Sequence, residues 1–551
     1  MKHTFVTLLT LLLIEANLYP QPSIDSIFNI TKNLYKAGKY TDAATQFDKL
    51  YSSHSINLSG SKLYDGACIY ALNSDSTKAL NILEYLVTTK LYSNYNHITT
   101  DSDLKSLHSN PKWEIITNGA KLNLQTLPER IKKKVVEELQ KAKKILDEDN
   151  GKLWGEHIWN EQILILANDN TVYSIYPFPD SKTNDSTVFY AKVPENTFGF
   201  SNSAQEYKGK IYAIIMTNYL ADNSSTIIHE LFHILQGKHK NLNGNPLVYL
   251  DNYDAREWLR LEYQALRNCL SAIDKKQHND VVIGYCNDAI RYRKLRQARY
   301  KEFRAKEIEI ETSEGLANYT GYTLSSYPNK YQIAIDEVNM RETANTYTRA
   351  FPYATGLAYG LIFDFLRIDW KKGLDTTYDF LNIYESKYLG HKVAMGKREI
   401  AAANKENNFA NIHNQELERK ITAEKNIAFY KKQFLKQPTL TVVLKDNLYG
   451  RTFDMNGTVV LDGIGIVYTS IVGIDGSGKN FGNFKTYPEK DTNRSSCILA
   501  SFDSKKFYFP QPFKVSGNKI IGETYEIELN NGWTVMKKND KGDFEIIEIK
   551  Q

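Results

Sequence analysis

The 551-residue chain has little cysteine and no dominant charge sign, and these shortages exclude several classes of protein. Its four cysteines, at positions 68, 269, 286 and 497, are too few and too scattered for a disulfide-stapled scaffold. They also lack the paired Cys-x-x-Cys spacing of a cysteine-based zinc site. The formal charge of +5 is too small at this length to indicate a nucleic-acid partner. After the first twenty residues, no apolar run is long enough to span a bilayer.

The composition is that of a globular protein, with 42% hydrophobic and 24% charged residues, and the length predicts three or four domains. The N-terminus differs, because Lys2 and His3 precede an apolar run from Phe5 to Ile14. Ten apolar residues are too few to cross about 30 Å of hydrocarbon, so residues 1–20 are interpreted as a signal peptide rather than an anchor. We therefore expect an exported protein, periplasmic or extracellular, with no membrane span after cleavage.

Residues 21–125 are expected to form a tetratricopeptide-like helical region. The segment from Tyr40 to Phe47 aligns with the segment from Asp75 to Ile82 at a spacing of 35, near the 34-residue period of such repeats. Both segments place a small alanine where two helices would cross and a large apolar residue nearby. Two repeats fit either a groove for a protein partner or a helical support for the next domain.

The remaining chain predicts an α+β domain over residues 126–436 and an all-β, sandwich-like domain over residues 437–551. A helix is expected from Thr126, with Pro128 in its first turn, to about Leu146. Segments 162–167 and 171–176 predict a hairpin, and residues 209–216 predict another strand. Helices are expected from Ser224 to about Tyr430, before β-branched and aromatic residues increase beyond Pro438.

The segment from Ile227 to Gly237 contains His-Glu-x-x-His within an otherwise apolar helical pattern. His229 and His233 are one helical turn apart, so both imidazoles can occupy corners of a zinc tetrahedron. Glu230, on the adjoining face, can accept a proton from zinc-bound water. Burying three such groups without a metal would be costly, which favours one Zn²⁺ per chain over a purely structural role.

A catalytic zinc needs a third protein ligand, and Glu314 within Glu314-Gly-Leu-Ala-Asn-Tyr319 is the leading candidate. This segment resembles the Glu-Gly-x-Ala-x-Tyr segment of gluzincin-like zinc metallopeptidases of the peptidase MA type. The chain as a whole resembles exported bacterial members of that group with N-terminal tetratricopeptide-like repeats. The resemblance implies a zincin-like catalytic domain, Glu314 as the metal ligand and a peptide or protein substrate.

Other residues compete for roles at this site. Glu262 and Glu257 are the alternatives for the third ligand, whereas Glu311 is expected near the ligands or in solvent. Tyr353 is proposed as the donor that stabilises the developing oxyanion; an aromatic at a helix interface is the alternative interpretation, and Tyr319 and Tyr322 compete for the role.

Two further features leave alternatives open. Cys269 and Cys286 flank a predicted turn, and they are either a disulfide or two buried thiols. The segment from Gly473 to Asn480 nearly matches a phosphate-binding loop, but glycine and proline interrupt the helix that would have to follow, so a glycine-rich turn is predicted.

The sequence thus predicts a zinc metallopeptidase in which His229, His233 and Glu314 hold the metal and Glu230 activates water. A non-catalytic, metal-containing binding or scaffold protein is the alternative function, and a non-peptide zinc hydrolase is a third.

Overall fold

The computed structural model describes residues 24–54, 58–184, 186–194, 197–199, 201–220, 224–239, 247–344, 346–445, 450–453, 458–486 and 498–549. The chain divides into two compact units, Met1–Phe409 and Ala410–Gln551. The first contains a helical N-terminal region and a largely helical central region, and the second is rich in strands. This order confirms the multidomain prediction at that level. The expected signal peptide at residues 1–20 and Cys497 lie outside the described residues.

The N-terminal region consists of helices packed as hairpins. Helices α1 (Ile24–Lys36) and α2 (Tyr40–His54) pack together, as do α3 (Gly60–Leu72) and α4 (Ser76–Thr88). The two aligned segments fall on the second helix of each hairpin, where Ala44 and Ala79 are buried. The N-terminal region is therefore helical, as predicted, and it contains two helical hairpins. A short helix, α5 (Tyr95–Thr100), and a 3-10 segment (Ser102–Leu107) complete this region.

The long helix α6 (Pro111–Asp149) corrects one prediction, because it passes through Pro128 without ending. The expected start at Thr126 is wrong. Its first half carries Trp113, Ile116 and Ala120, which are buried in the cluster of the N-terminal hairpins. This packing stabilises the turns before Pro128 and outweighs the loss of one backbone hydrogen bond there.

A five-stranded sheet follows α6 and has the order β3-β2-β1-β5-β4. Its strands are β1 (Ile163–Leu166), β2 (Thr171–Ser174), β3 (Phe189–Lys192), β4 (Ser203–Tyr207) and β5 (Lys210–Met216). The predicted hairpin is β1 with β2, and the predicted strand is β5, which pairs parallel to β1. β4 pairs antiparallel to β5 and forms one edge of the described sheet.

Helices dominate the rest of the central region, as predicted. They are α7 (Ser225–His239), α8 (Tyr253–Asp274), α9 (Asn279–Arg299), α10 (Arg304–Ile310), α11 (Leu316–Leu324), α12 (Lys330–Glu342), α13 (Phe351–Phe365), α14 (Phe380–Ile383) and α15 (Lys397–Glu406). A π-helical turn, Glu311–Gly315, joins α10 to α11. A second π-helical turn, Tyr384–Leu389, follows α14. Cys269 and Cys286, on α8 and α9, are buried free thiols.

The second unit begins in the first turn of α16 (Phe409–Lys431), which a π-helical turn, Lys432–Lys436, extends. Its thirteen described strands form a six-stranded sheet, β14-β15-β16-β11-β10-β7, and a seven-stranded sheet, β17-β18-β6-β13-β12-β9-β8. The strands are β6 (Thr439–Val443), β7 (Gly450–Phe453), β8 (Thr458–Leu461), β9 (Gly465–Tyr468), β10 (Ile471–Ile474), β11 (Gly482–Thr486), β12 (Ile498–Ala500), β13 (Lys506–Pro510), β14 (Phe513–Ser516), β15 (Lys519–Gly522), β16 (Tyr525–Leu529), β17 (Trp533–Lys537) and β18 (Phe544–Glu548). Phe484 of one sheet and Phe507 of the other belong to one buried cluster.

The glycine-rich segment of the second unit is a turn, as predicted. It connects β10 to β11, which pair antiparallel, so a strand rather than a helix follows it directly. Asp475 closes the turn by accepting hydrogen bonds from the backbone N–H groups of Ser477 and Asn480. The segment therefore lacks the helix N-terminus that a phosphate-binding loop requires.

None of the described helices combines the length and the apolar character needed to cross a membrane.

Candidate metal centre

Helix α7 presents both histidines of the His-Glu-x-x-His motif toward one point. It packs against β5, β4 and α11, and its apolar side chains are buried on nearly every side. Their burial fixes the rotation of the helix. The His229 and His233 rings consequently lie with centroids 4.8 Å apart, and their Nε2 atoms are 3.1 Å apart.

The π-helical turn Glu311–Gly315 supplies the third group. Glu314 Oε2 lies 3.6 Å from His229 Nε2 and 3.5 Å from His233 Nε2. Single π-helical turns within α-helices frequently occur at functional sites. The predicted triad is thus brought together, and its side chains remain partly accessible, with 11%, 15% and 26% exposure for His229, His233 and Glu314.

The triangle of donor atoms has the dimensions of a zinc site. The edges of the triangle measure 3.1, 3.5 and 3.6 Å, so the equidistant point in its plane lies about 2.0 Å from each donor atom. This distance matches zinc bonds to imidazole nitrogen and carboxylate oxygen. Burial would lower the pKa of His233, but the contact and charge of Glu314 raise it to about 9. Burial would raise the pKa of Glu314, but both histidines hold it far below its usual range. The group therefore favours a bound positive charge.

Gln236 orients one ligand and was missed from the sequence. His233 Nδ1 lies 3.0 Å from Gln236 Oε1, while Gln236 Nε2 donates to the carbonyl of Thr312 at 2.7 Å. This bond fixes the ring so that Nε2 faces the other two donor atoms, as neighbouring polar groups commonly do for metal-bound histidines. The sequence feature that could have indicated this role is a polar residue three positions after His233, on a helix whose other faces are apolar.

Glu230 is buried beside the triad, with 5% exposure. Among the described residues its Oε2 atom has no hydrogen-bond partner. Burial raises the pKa of this carboxyl, although the neighbouring histidines oppose the shift. A buried carboxylate oxygen without a partner is expensive unless a ligand or water occupies the space it faces. Glu230 borders both clefts described below.

Of the three tyrosines considered, Tyr353 is the one that contacts the triad in the described structure. Its hydroxyl donates to Glu314 Oε2 at 2.6 Å, and its ring is parallel to that of His229 with centroids 5.9 Å apart. Burial and the Glu314 charge raise the pKa of Tyr353, so its hydroxyl keeps its proton. Tyr319 instead donates to Asp364, and Tyr322 lines the larger cleft.

The rival carboxylates belong to other interactions. Glu262 is fully buried and accepts from Arg293 at 2.7 Å and from Tyr359 at 2.9 Å, so it is neither a metal ligand nor a partner of the histidines. Glu257 accepts from Tyr253 at 3.2 Å.

Glu311 was expected near the ligands or in solvent, but it is fully buried in a different network. Its two carboxylate oxygens accept from both terminal nitrogens of Arg293, at 2.8 and 2.6 Å. Thr355 of α13 donates to Glu311 Oε1 at 2.6 Å. The π-helical turn that carries Glu314 is therefore tied to the helix that carries Tyr353.

Two clefts, of about 770 and 420 Å³, border the triad: His229 lines the larger, and His233 and Glu314 line the smaller. Both are bordered by Glu230 and Tyr353 and by Asn202, the residue that precedes β4. A ligand that extends from one cleft to the other would therefore pass the three donor atoms and the edge of the sheet.

Comparison with protein-family models, with curated proteins and with solved structures finds no match to this chain.

Proposed function

We propose that this protein is a zinc-dependent metallopeptidase of the gluzincin type. The observation that carries the proposal is the donor triangle of His229, His233 and Glu314, next to a buried Glu230 oxygen that lacks a partner. Two histidines and one glutamate are a ligand set of catalytic zinc sites, where a fourth position is left open. A purely structural zinc would instead be closed by four protein ligands.

The chain supplies distinct groups for peptide hydrolysis. Zinc, when bound by the triad, lowers the pKa of water and polarises a carbonyl group. Glu230 takes the proton from the attacking water and passes it to the leaving amine. Tyr353 keeps its proton and presents a hydroxyl donor next to Glu314, where it can stabilise negative charge developing on the carbonyl oxygen. Gln236 holds His233 in its orientation.

An extended peptide is the substrate that the surroundings favour. β4 pairs with β5 on one side only among the described strands, so its outer backbone groups can pair with an added strand. Its first residues, Ser203 and Ala204, border the smaller cleft, and Asn202 just before it borders both clefts, which supports an added strand that runs past the three donor atoms. We further propose export, with residues 1–20 as signal peptide, and a protein-binding role for the tetratricopeptide-like hairpins.

Metal analysis of the purified protein tests the site. We expect one zinc per chain in the wild type and little in Glu314→Ala after the same dialysis, whereas Glu302→Ala, which removes an exposed glutamate, should retain zinc. Full retention in Glu314→Ala would refute the three-ligand assignment.

A peptide-library assay tests the chemistry. Glu230→Gln should keep zinc and lose at least a hundredfold in turnover, because the variant cannot accept a proton. Unchanged turnover in Glu230→Gln would refute its role. Bound zinc with no hydrolysis of any peptide by the wild type would favour the alternative of a metal-containing binding or scaffold protein.

A further inference from the structure

Arg341 is a fixed cation in the wall of the larger cleft. It lies in the last turn of α12, and apart from His229 the other residues lining this cleft carry neutral or acidic side chains. The guanidinium lies over the Tyr353 ring, 4.3 Å from the ring centroid. Its Nε and Nη2 atoms contact Glu337 Oε1 at 2.8 and 2.7 Å. One face and one edge of the guanidinium are thereby held in place.

The geometry leaves the other edge of the guanidinium available to the cleft. The Arg341 side chain is 28% exposed, whereas Glu337 behind it is 4% exposed. Arginine has five N–H donors, and the contacts with Glu337 occupy two of them. Among the described residues, Nη1 donates to no side chain. A planar guanidinium held in this way matches the two oxygens of a carboxylate, and little conformational freedom remains to be lost on binding.

The distance to the metal position sets which part of a substrate can reach Arg341. Tyr353 neighbours both Arg341 and His229, with separations of 4.3 and 5.9 Å from its ring centroid, so the guanidinium lies at most about 10 Å from the His229 ring. An extended peptide advances about 3.3 Å per residue. A carboxylate bound by Arg341 therefore belongs to one of roughly the first three residues beside the cleaved bond.

We propose that Arg341 forms a carboxylate-binding subsite that selects peptides with an acidic group within about three residues of the cleaved bond. This inference rests on the proposed peptidase function. The carboxylate has two sources with the same chemistry, an aspartate or glutamate side chain and the C-terminal carboxylate of a short peptide. Glu337 positions the guanidinium, and Tyr353 supports it from the side of the metal.

Matched peptide pairs test the subsite. One pair differs only in a C-terminal acid or amide, and the other only in aspartate or asparagine near the cleaved bond. We expect the wild type to prefer the carboxylate member of at least one pair by about 10- to 100-fold in kcat/KM, because a charge-assisted, bidentate contact is lost with the neutral member. The pair that shows the preference identifies the source of the carboxylate.

Removing Arg341 alone would leave the buried Glu337 without its charged partner, so the test uses Glu337→Gln/Arg341→Gln. In this double variant the preference should fall below about threefold, since the cationic donor is gone. Glu337→Gln alone keeps the cation and should keep a preference. Arg398→Gln removes an exposed arginine outside the cleft lining and should leave the ratio unchanged. Equal cleavage of both members of both pairs, or a preference retained in the double variant, would overturn the proposal.

Binding to the zinc-loaded Glu230→Gln variant separates this inference from the function on which it rests. Calorimetric Kd values for the same peptide pairs should show the same order of discrimination without turnover. Discrimination in Kd with no wild-type hydrolysis would reject the peptidase and retain the subsite. Hydrolysis without discrimination in either measurement would reject the subsite alone.

Discussion

Replacing Gly356 by alanine should weaken zinc binding although residue 356 is not a ligand. A Cβ atom at this position would lie 2.2 Å from the Cα atom of Gly315 and 2.6 Å from its carbonyl oxygen, far inside ordinary contact distance. The neighbours are backbone atoms, so no side-chain rotation relieves the clash. α13 must therefore move more than about 1 Å away from the π-helical turn. This movement separates Tyr353 from Glu314, which now lie 2.6 Å apart.

The sign of the stability change follows from two opposed effects. Alanine at an interior helix position gains up to about 1 kcal/mol over glycine. Overpacking costs about 1–3 kcal/mol, and a backbone clash belongs at the upper end. We therefore expect Gly356→Ala to lower the free energy of unfolding by about 1–2 kcal/mol. Loss of the groups that orient a metal ligand typically costs 10–100-fold in metal affinity, so zinc affinity should fall at least about tenfold.

Gly284→Ala is the matched control. Gly284 is exposed on α9, and a Cβ atom there would meet no heavy atom within 4 Å. Helix propensity then acts alone, and the variant should be about 0.5–1 kcal/mol more stable with unchanged zinc affinity. Urea denaturation with excess chelator measures stability, and competition with a chelating dye measures affinity. If Gly356→Ala matched Gly284→Ala in both assays, the close approach of Gly356 to Gly315 would not control zinc affinity.

Three further predictions concern the surrounding core and the metal. Arg293→Met leaves the buried Glu311 without its arginine and leaves Glu262 with Arg296 alone, so it should lower the free energy of urea unfolding by about 3–5 kcal/mol; a loss below about 1 kcal/mol would contradict this. Chelation should lower the Tm of the wild type reversibly and leave that of Glu314→Ala unchanged, because ligand binding stabilises only a chain that holds the metal; equal shifts would contradict the assignment. Burial would raise the pKa of Glu342, but two arginines of α8 hold it below its usual range. Stability should therefore fall as the pH drops below about 4.3, where the unfolded carboxyl takes up a proton first. Glu342→Gln should flatten that part of the stability profile, and an equally steep acid limb would contradict the argument.

The sequence carried enough information to predict that His229, His233 and Glu314 come together, because these residues lie on regular helical spacing or in a short motif. His229 and His233 are one turn apart on a helix whose apolar pattern is unambiguous, so their shared direction follows from helix geometry. Glu314 lies in a short motif next to Gly315, which packs closely against Gly356 of α13. Helical hairpins, the β1–β2 hairpin and the C-terminal β region were predictable from periodicity.

Features that depend on long-range partners were not predictable in this way. The start of α6 was misplaced because Pro128 is a helix-start signal locally, while burial of Trp113 and its neighbours decides the outcome. Glu262 was considered as a ligand because a lone glutamate on a buried face has no visible partner in the sequence. Its partners, Arg293 and Arg296, are 31 and 34 residues away.

The hydrogen bonds around Glu311 explain why Glu311 and Glu314, two carboxylates of the same π-helical turn, have different roles. Three positions separate Glu311 from Glu314, and a π-helical turn places more than four residues in each turn, so the two side chains need not share a face. Glu311 faces Arg293 and Thr355 in the core, whereas Glu314 faces the histidines. Glu311, the inner carboxylate, therefore has an arginine of the chain itself as its positive partner. Glu314, the outer carboxylate, meets two imidazoles, which carry a positive charge only when protonated, and among the described groups it lacks a permanent cation such as an arginine. This is the electrostatic reason for expecting a metal ion there.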